Sequence, residues 1–180
     1  MSEDLRIRPL TPEDDIEAVA ALAREIWNEF YVALIGQAQV DYMTARFQSA
    51  DAIREQLETG YEYFVVDRGT LPIGYMSLKS GPEPGELFIS KFYLHKSSRG
   101  SGTGRRCMEF IEHLARQRGL TRLWLTVNKG NPSVKVYERL GFRIAADLVM
   151  DIGNGFVMDD YRMEKSVGFP ASGARNASVS

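Results

Sequence analysis

The stretch from Leu87 to Gly104 reads LFISKFYLHKSSRGSGTG and joins an apolar run, a glycine-rich turn and the start of a helix. Residues 87–94 have the length and composition of a buried strand. A helical pattern follows, because apolar residues recur at three- and four-residue spacings from Cys107 to Ala115. Glycines let a backbone approach a ligand closely, and the first turn of a helix offers unpaired N–H groups at its positive end. The stretch therefore predicts a site for a ligand that carries phosphate.

The glycine spacing alone leaves the identity of that ligand open. The turn is not a P-loop, because no Gly-Lys-Ser/Thr follows the glycines. Gly100, Gly102 and Gly104 come near the dinucleotide fingerprint Gly-x-Gly-x-x-Gly, which requires an acidic residue about 20 residues further on in a βαβ unit. Past the helix, the chain instead predicts a strand that ends in Asn128. On this evidence, a plain tight turn without any ligand is an equal alternative.

Length and composition set limits on the class of protein. The 180 residues fit one domain, and the 44% hydrophobic and 26% charged shares are those of a globular protein. A net charge of −2 gives no reason to expect nucleic acid or an anionic membrane as a partner. The single Cys107 has no disulfide partner and is interpreted as a small buried hydrophobe. Neither a membrane-spanning run nor a secretion signal is recognised, so we expect a cytoplasmic protein.

The order of predicted elements gives the fold class. The pattern β-α-α-β-β-β-α-β-α-β-β predicts one α/β (α+β) domain over residues 1–167, with a mixed sheet of about seven strands flanked by four or so helices. The first helix is expected to begin at Thr11-Pro12 and to continue to about Gly36. The second helical region is expected to break at residues 48–51. Residues 168–180 are expected to form a disordered tail.

Two short motifs, in this order, resemble the GNAT superfamily of N-acetyltransferases. The family motif Q/R-x-x-G-x-G/A matches Arg99, Gly102 and Gly104, and a later Asn followed by Tyr-x-x-x-Gly-Phe matches Asn131 and residues 137–142. The resemblance covers residues 5–165 and implies a mostly antiparallel sheet. It implies transfer of an acetyl group from acetyl-CoA, as co-substrate, to an amine, without a metal. The terminal hairpin is also loosely similar to that of spermidine/spermine-type bacterial acetyltransferases.

The resemblance assigns the glycine turn to CoA. The amides of residues 100–105 would hold the pyrophosphate, and Arg99, Arg105 and Arg106 would add charge-assisted contacts. The main chain of the central strand would pair with the pantetheine arm as an added strand. The implied cofactor-binding residues are Phe92, Tyr93, Leu94, Arg99, Gly100, Ser101, Gly102, Thr103, Gly104, Arg105, Asn131 and Tyr137.

The same resemblance assigns the catalytic chemistry. Tyr137 would protonate the departing CoA thiolate. Asn131 would contact CoA or cap the following helix, and the two roles are compatible. Many family members carry a glutamate base on the central strand, but the matching position here is Ser90, which cannot replace a carboxylate. Glu86, on the same strand face by alternation and acting through water, is only a weak candidate for the base.

The acceptor pocket would be formed by the first two helices and the final hairpin. Aromatic faces combined with carboxylates suit a cationic amine. The candidate substrate residues are Trp27, Tyr31, Met43, Phe47 and Asp160, and for each of them a plain core role is the alternative. His95 and His113 are interpreted as surface residues, and no Cys/His/Asp cluster has metal-ligand spacing.

The sequence thus predicts an enzyme that acetylates a primary amine of a small molecule, with a polyamine as one option and a homodimer left open. The alternatives are a CoA-binding regulatory module without turnover and an enzyme that acetylates a protein or peptide amine. A nicotinamide dinucleotide is the second choice for the ligand of the glycine turn.

Overall fold

The structure, a computed structural model, describes residues 4–168. Seven strands form one sheet: β1 (Leu5–Pro9), β2 (Glu62–Arg68), β3 (Leu71–Ser80), β4 (Glu86–Leu94), β5 (Arg122–Asn128), β6 (Arg143–Gly153) and β7 (Phe156–Ser166). The α-helices of this part of the chain are α1 (Pro12–Phe30), α2 (Val32–Ile35), α3 (Gln37–Phe47), α4 (Ala50–Glu58), α5 (Thr103–Gln117) and α6 (Ser133–Arg139). A 3₁₀ turn, Lys96–Ser98, leads from β4 towards the glycines.

The sheet has the strand order β1-β2-β3-β4-β5-β7-β6. All neighbouring strands are antiparallel except β4 and β5, which are parallel. The chain can make this parallel step because α5 crosses over from the end of β4 to the start of β5. The predicted single α/β domain with a mixed, mostly antiparallel sheet of seven strands is therefore confirmed.

The helices cover the two faces of the sheet. On one face, α5 contributes Cys107, Met108 and Ile111 to a core that also contains Leu123 of β5. On the other face, the first four helices pack a second core that includes Val19, Trp27, Val40 and Ile53. The α5 pattern read from the sequence thus matches the buried side of the helix.

The helical boundaries differ from the predicted ones at one place. The first helix ends at Phe30, and the short α2 follows it up to Ile35, because Tyr31 closes α1 with an N–H bond to the Trp27 carbonyl. The predicted break at residues 48–51 is confirmed, since α3 ends at Phe47 and α4 begins at Ala50, capped by the Ser49 hydroxyl. The described chain thus has six α-helices where four or so were expected, because each of the two helical regions that precede β2 is divided.

The expected tail lies outside the described residues except for Gly168. Within residues 4–168, none of the helices combines the length and apolar composition needed to traverse a bilayer.

Candidate active site at the divergence of β4 and β5

The two parallel strands separate soon after they begin. Residues 86–88 of β4 pair with residues 122–124 of β5, and no further pairing joins the two strands within the described chain. From Ile89 to Leu94, β4 is paired with β3 alone, and from Leu125 to Asn128, β5 is paired with β7 alone. The facing edges of β4 and β5 therefore border a gap, and such open strand edges are suited to pair with an extended ligand.

An irregularity in β4 lies at this gap. Ser77 of β3 is opposite Lys91 and Leu78 is opposite Ile89, so Ser90 has no counterpart in the register. An extra residue of this kind bends a strand and increases its local twist. Ser90, the position at which the sequence analysis sought a catalytic glutamate, is thus the bulged residue itself.

The glycine turn lies at the end of β4 and opens α5. Gly100 and Gly102 have φ angles of 73° and 82°, in the left-handed region that side chains strongly disfavour. Among residues 4–168, no main-chain or side-chain acceptor binds the main-chain N–H groups of residues 100–105. Six successive free amides at a helix N-terminus are a site for an anion, as the sequence predicts.

The predicted polar residues of the turn are partly used within the protein. Arg99 donates from Nε to the Leu94 carbonyl at 3.1 Å and forms an ion pair with Glu29 of α1 at 3.0 Å. Ser101 donates its hydroxyl proton to the Ser98 carbonyl, and Thr103 is buried. Arg99 therefore fixes the turn against α1, whereas Arg105 is exposed on the first turn of α5.

A cavity of about 770 Å³ extends from this turn through the gap to the faces of α1 and α3. All five predicted acceptor residues line it, as do eight of the twelve predicted CoA residues. Those eight are Phe92, Tyr93, Leu94, Arg99, Gly100, Gly104, Asn131 and Tyr137. Ser101, Gly102, Thr103 and Arg105 lie on the turn outside the cavity wall. The structure thus brings the two predicted groups of residues together around one chamber.

Tyr137 enters the cavity wall from α6. Its ring packs edge-to-face against Phe92 of β4 and against Phe142, with centroids 6.3 and 5.8 Å away. Burial, with the nearby Tyr31 hydroxyl as a second cause, raises the pKa of the Tyr137 phenol above its ordinary value. The phenol therefore retains its proton at neutral pH, as a proton donor must before it acts.

Asn131 caps the helix that carries Tyr137. Its Oδ1 accepts the N–H of Ser133, the first residue of α6, at 2.8 Å. Its Nδ2 donates to the Tyr31 hydroxyl at 3.4 Å, a long contact. The capping role considered for Asn131 is thus present, and the same side chain contacts Tyr31, the residue that follows α1.

An aromatic wall closes the acceptor side of the chamber. Trp27 stacks on Tyr31 with ring centroids 4.3 Å apart, and both meet the ring of Tyr93 edge-on. Met43 and Phe47 of α3 complete this side. Burial raises the pKa of Tyr31 to about 12, so its phenol stays neutral. This wall offers apolar surface and ring faces to a ligand.

Asp160 lies on β7 opposite Asn128 of β5 and lines the same cavity. Its side chain is buried, with 1% relative exposure, and neither carboxylate oxygen has a hydrogen-bond partner among the described residues. Burial, together with the negative charge of Asp159, raises the pKa of Asp160 to about 6, against opposing effects of the Thr126 hydroxyl and of Lys129. At neutral pH the cavity therefore contains an ionised carboxylate without a charged partner.

Lys91 is a buried residue of the cavity that the sequence analysis did not select. Its ammonium group donates to the Phe47 carbonyl at 2.5 Å, to Oε1 of Gln56 at 2.8 Å and to the Tyr63 hydroxyl at 2.6 Å. Burial lowers the pKa of Lys91 to about 7. One feature of the sequence could have indicated Lys91: it is the only charged residue in the apolar run 87–94.

The structure places Glu86, the weak candidate for the general base, away from the cavity. Glu86 lies at the start of β4, where β4 is still paired with β5, and it does not line the chamber. Its Oε1 accepts from Arg122 at 3.0 Å and from Arg162 at 3.1 Å. The interpretation of Glu86 as a base is therefore corrected: its carboxylate is committed to two arginines four residues before the bulge.

The remaining reactive side chains lie elsewhere. Burial raises the pKa of the Cys107 thiol to about 12, which makes it unreactive. His95 bonds to Glu25 and Ser97, and His113 is exposed on α5. Within residues 4–168, no group of three or more His, Cys, Asp or Glu side chains is arranged to hold a metal ion.

Comparison with solved structures shows the same fold. An N-acetyltransferase, PaiA, from Thermoplasma acidophilum in complex with coenzyme A is 20% identical, with a TM-score of 0.73 over 91% of this chain and 99% of that chain. A GCN5-related N-acetyltransferase from Rhodopseudomonas palustris is 20% identical, with a TM-score of 0.76 over 92% and 98%. An acetyltransferase from Thermus thermophilus is 24% identical, with a TM-score of 0.66 over 92% and 99%.

Sequence comparison identifies the family. None of the curated proteins compared with the chain matches it. The family model described as "Acetyltransferase (GNAT) family" matches residues 20–142, which run from within α1 to beyond the end of α6 and include the glycine turn and the gap. The chain therefore belongs to the GNAT family of acetyl-CoA-dependent N-acetyltransferases.

Proposed function

We propose that the protein transfers an acetyl group from acetyl-CoA to a primary amine of a small molecule by direct attack. The observation that carries this proposal is the continuity of three parts: the free amides of residues 100–105, the gap between β4 and β5, and the cavity that contains Tyr137. With its pyrophosphate at the amides and its pantetheine arm along the gap, acetyl-CoA would have its thioester in the cavity.

The residues present fit CoA at each of these parts. The amides and the α5 N-terminus suit the pyrophosphate, and exposed Arg105 adds a cation beside it. The edge of β4 from Phe92 to Leu94 suits the amide groups of pantetheine. Acetyl-CoA supplies the activated acetyl group. Tyr137, which keeps its phenolic proton, donates that proton to the thiolate as the carbon–sulfur bond breaks.

The shape of the cavity favours a small acceptor. Its volume of about 770 Å³ has to hold the end of the CoA arm as well as the acceptor, and its acceptor side is lined by Trp27, Tyr31, Met43 and Phe47. An aromatic wall beside a carboxylate, Asp160, suits a primary amine in its ammonium form. A polyamine is one member of that class.

The test is incubation with acetyl-CoA and a panel of amines, with release of free thiol as the readout. The panel should contain monoamines, polyamines, amino acids and a histone-like peptide. We expect thiol release with at least one small amine and less with the peptide. CoA binding without turnover on any amine would instead favour a regulatory module, and preference for the peptide would favour a protein acceptor. Binding of NADH in preference to CoA would contradict the assignment of the glycine turn.

A further inference from the structure

Asp160 has an unmet requirement for a positively charged partner. The side chain is 1% exposed, and neither oxygen has a donor in hydrogen-bond geometry within residues 4–168. The Thr126 hydroxyl is near enough to lower the pKa of Asp160, but it brings no charge, and Asp160 lines the cavity. A buried carboxylate without hydrogen bonds is strongly disfavoured, so such a group in a cavity indicates a ligand that completes it. The ligand chemistry that meets the requirement is a cation with N–H donors.

The cations around Asp160 have other partners. Lys129 pairs with Asp159 at 2.8 Å and lies 3.6 Å from Asp147. Arg99 pairs with Glu29, and the Lys91 ammonium donates to three acceptors on α3, α4 and β2. The other titratable groups that act on Asp160 or respond to its charge are Asp159, Tyr31 and Tyr93. None of these groups neutralises the Asp160 carboxylate.

Asp160 and Tyr137 line the same cavity, together with Tyr31 and Tyr93. The Asp160 charge contributes to the raised pKa of both Tyr31 and Tyr93. The Tyr137 hydroxyl acts on Tyr93 as well, and Tyr31 acts on Tyr137. Asp160 and Tyr137 therefore share these two tyrosines as electrostatic neighbours. The candidate proton donor and the orphan carboxylate thus face one reaction space.

We propose that Asp160 binds the ammonium group of the acceptor and then accepts its proton; this role rests on the acetyl transfer proposed above. The carboxylate pairs with R–NH₃⁺ and takes one proton, which leaves R–NH₂. The amine nitrogen attacks the thioester carbon, so that a carbon–nitrogen bond forms and the carbon–sulfur bond breaks. Tyr137 gives its proton to the sulfur and recovers one from the new amide nitrogen. Asp160 releases its proton to solvent.

The aromatic wall suits an acceptor with an apolar arm. Trp27 and Tyr31 are stacked and line the cavity together with Phe47 and Asp160. A monoamine such as 2-phenylethylamine, with one ammonium group for Asp160 and a ring for the aromatic wall, is therefore a suitable probe.

The test is Asp160→Asn, which keeps the shape of the side chain and removes its charge. For the wild-type protein with 2-phenylethylamine, kcat/KM should rise with pH through an acidic limb near 6, because Asp160 must be ionised. In Asp160→Asn, the acidic limb should disappear and kcat/KM at pH 8 should fall about 10²-fold or more. CoA affinity by calorimetry should be retained.

The matched control is Asp159→Asn, the same substitution one residue earlier at an exposed position that pairs with Lys129. The substitution removes the negative charge of Asp159 and leaves Lys129 without that partner, so the acidic limb of the pH profile should move below pH 6. Turnover on the plateau above the limb should stay within about threefold of the wild-type value. An acidic limb that does not move in Asp159→Asn would overturn the proposal even if Asp160→Asn failed to fold. An Asp160→Asn protein that kept the limb and its turnover would overturn it directly. No thiol release from the wild-type protein with any amine would overturn the acetyl transfer and this role with it.

Discussion

Replacement of Lys91 by methionine should stabilise the protein, although Lys91 makes three hydrogen bonds. Burial lowers the pKa of Lys91 from 10.5 to about 7, a shift of about 3.5 units. At 1.36 kcal/mol per unit, the charged form is disfavoured in the folded state by about 5 kcal/mol. A methionine of similar length avoids this penalty and fills the same space.

The acceptors that Lys91 leaves behind would keep other partners. The Phe47 carbonyl also accepts from Nε2 of Gln56 at 3.1 Å, and Oε1 of Gln56 also accepts from the Tyr63 hydroxyl at 2.6 Å. The loss of three charge-assisted bonds therefore offsets only part of the gain. We expect Lys91→Met to raise the free energy of unfolding at pH 7 by about 1–3 kcal/mol.

The pH dependence gives the sharper measurement. Because the folded-state pKa of Lys91 lies below the unfolded value, the unfolded chain binds more protons between pH 7 and 10.5, and wild-type stability gains from this group as pH rises. From pH 7 to pH 9 the gain is about 2 kcal/mol. Lys91→Met lacks this gain, so its advantage over the wild-type protein should shrink by that amount at pH 9.

The assay is urea unfolding at pH 7 and pH 9, with Lys135→Met on the exposed face of α6 as the control for the general effect of the substitution. The control should show little change at either pH. A Lys91→Met protein less stable than the wild type at pH 7, or one whose stability difference does not change with pH, would refute the reasoning. The first result would mean that the three hydrogen bonds outweigh the burial of the charge, and the second that the pKa of Lys91 is not lowered in the folded protein.

Two further substitutions test the site. Tyr137→Phe keeps the edge-to-face packing on Phe92 and Phe142 but removes the phenolic proton, so turnover should fall about 10²–10⁴-fold with CoA affinity unchanged; near-normal turnover in the same thiol assay would make Tyr137 a packing residue. Gly102→Val places a branched side chain at a φ of 82° beside the free amides, so CoA binding by calorimetry should be lost and the melting temperature only moderately lowered; unchanged CoA affinity would remove the turn from the site.

The sequence predicted those features that depend on local physics. The glycine turn could be recognised because glycines at Gly100 and Gly102 allow positive φ, and α5 because its apolar spacing is regular. The second motif, Asn131 with residues 137–142, could likewise be recognised from the local sequence. Trp27, Tyr31, Met43 and Phe47, which line one cavity, could be grouped from the sequence because the resemblance to a known family supplied the long-range arrangement.

The remainder of the site depends on tertiary geometry that no local pattern encodes. The bulge at Ser90 arises from the register of β4 against β3, and it displaces the position at which a base was sought. Glu86 looked suitable by alternation along the strand, but its partners Arg122 and Arg162 come from other strands. The burial of Asp160 and of Lys91 became visible only once β7, α3 and α4 had been placed around the cavity.

The short contact between β4 and β5 divides the sheet into two units. Four strands lie on one side and three on the other, and only three residues of each central strand join them through the backbone. The width of the gap is thus set by side chains and helices rather than by a ladder, so the two units can change their spacing more easily than neighbouring strands can. A ligand that pairs with the open edges takes the place of a missing strand. Its binding therefore also makes the sheet more rigid. We expect CoA to slow hydrogen exchange of the amides from Ile89 to Leu94, and the amine pocket to reach its final shape only after CoA is bound.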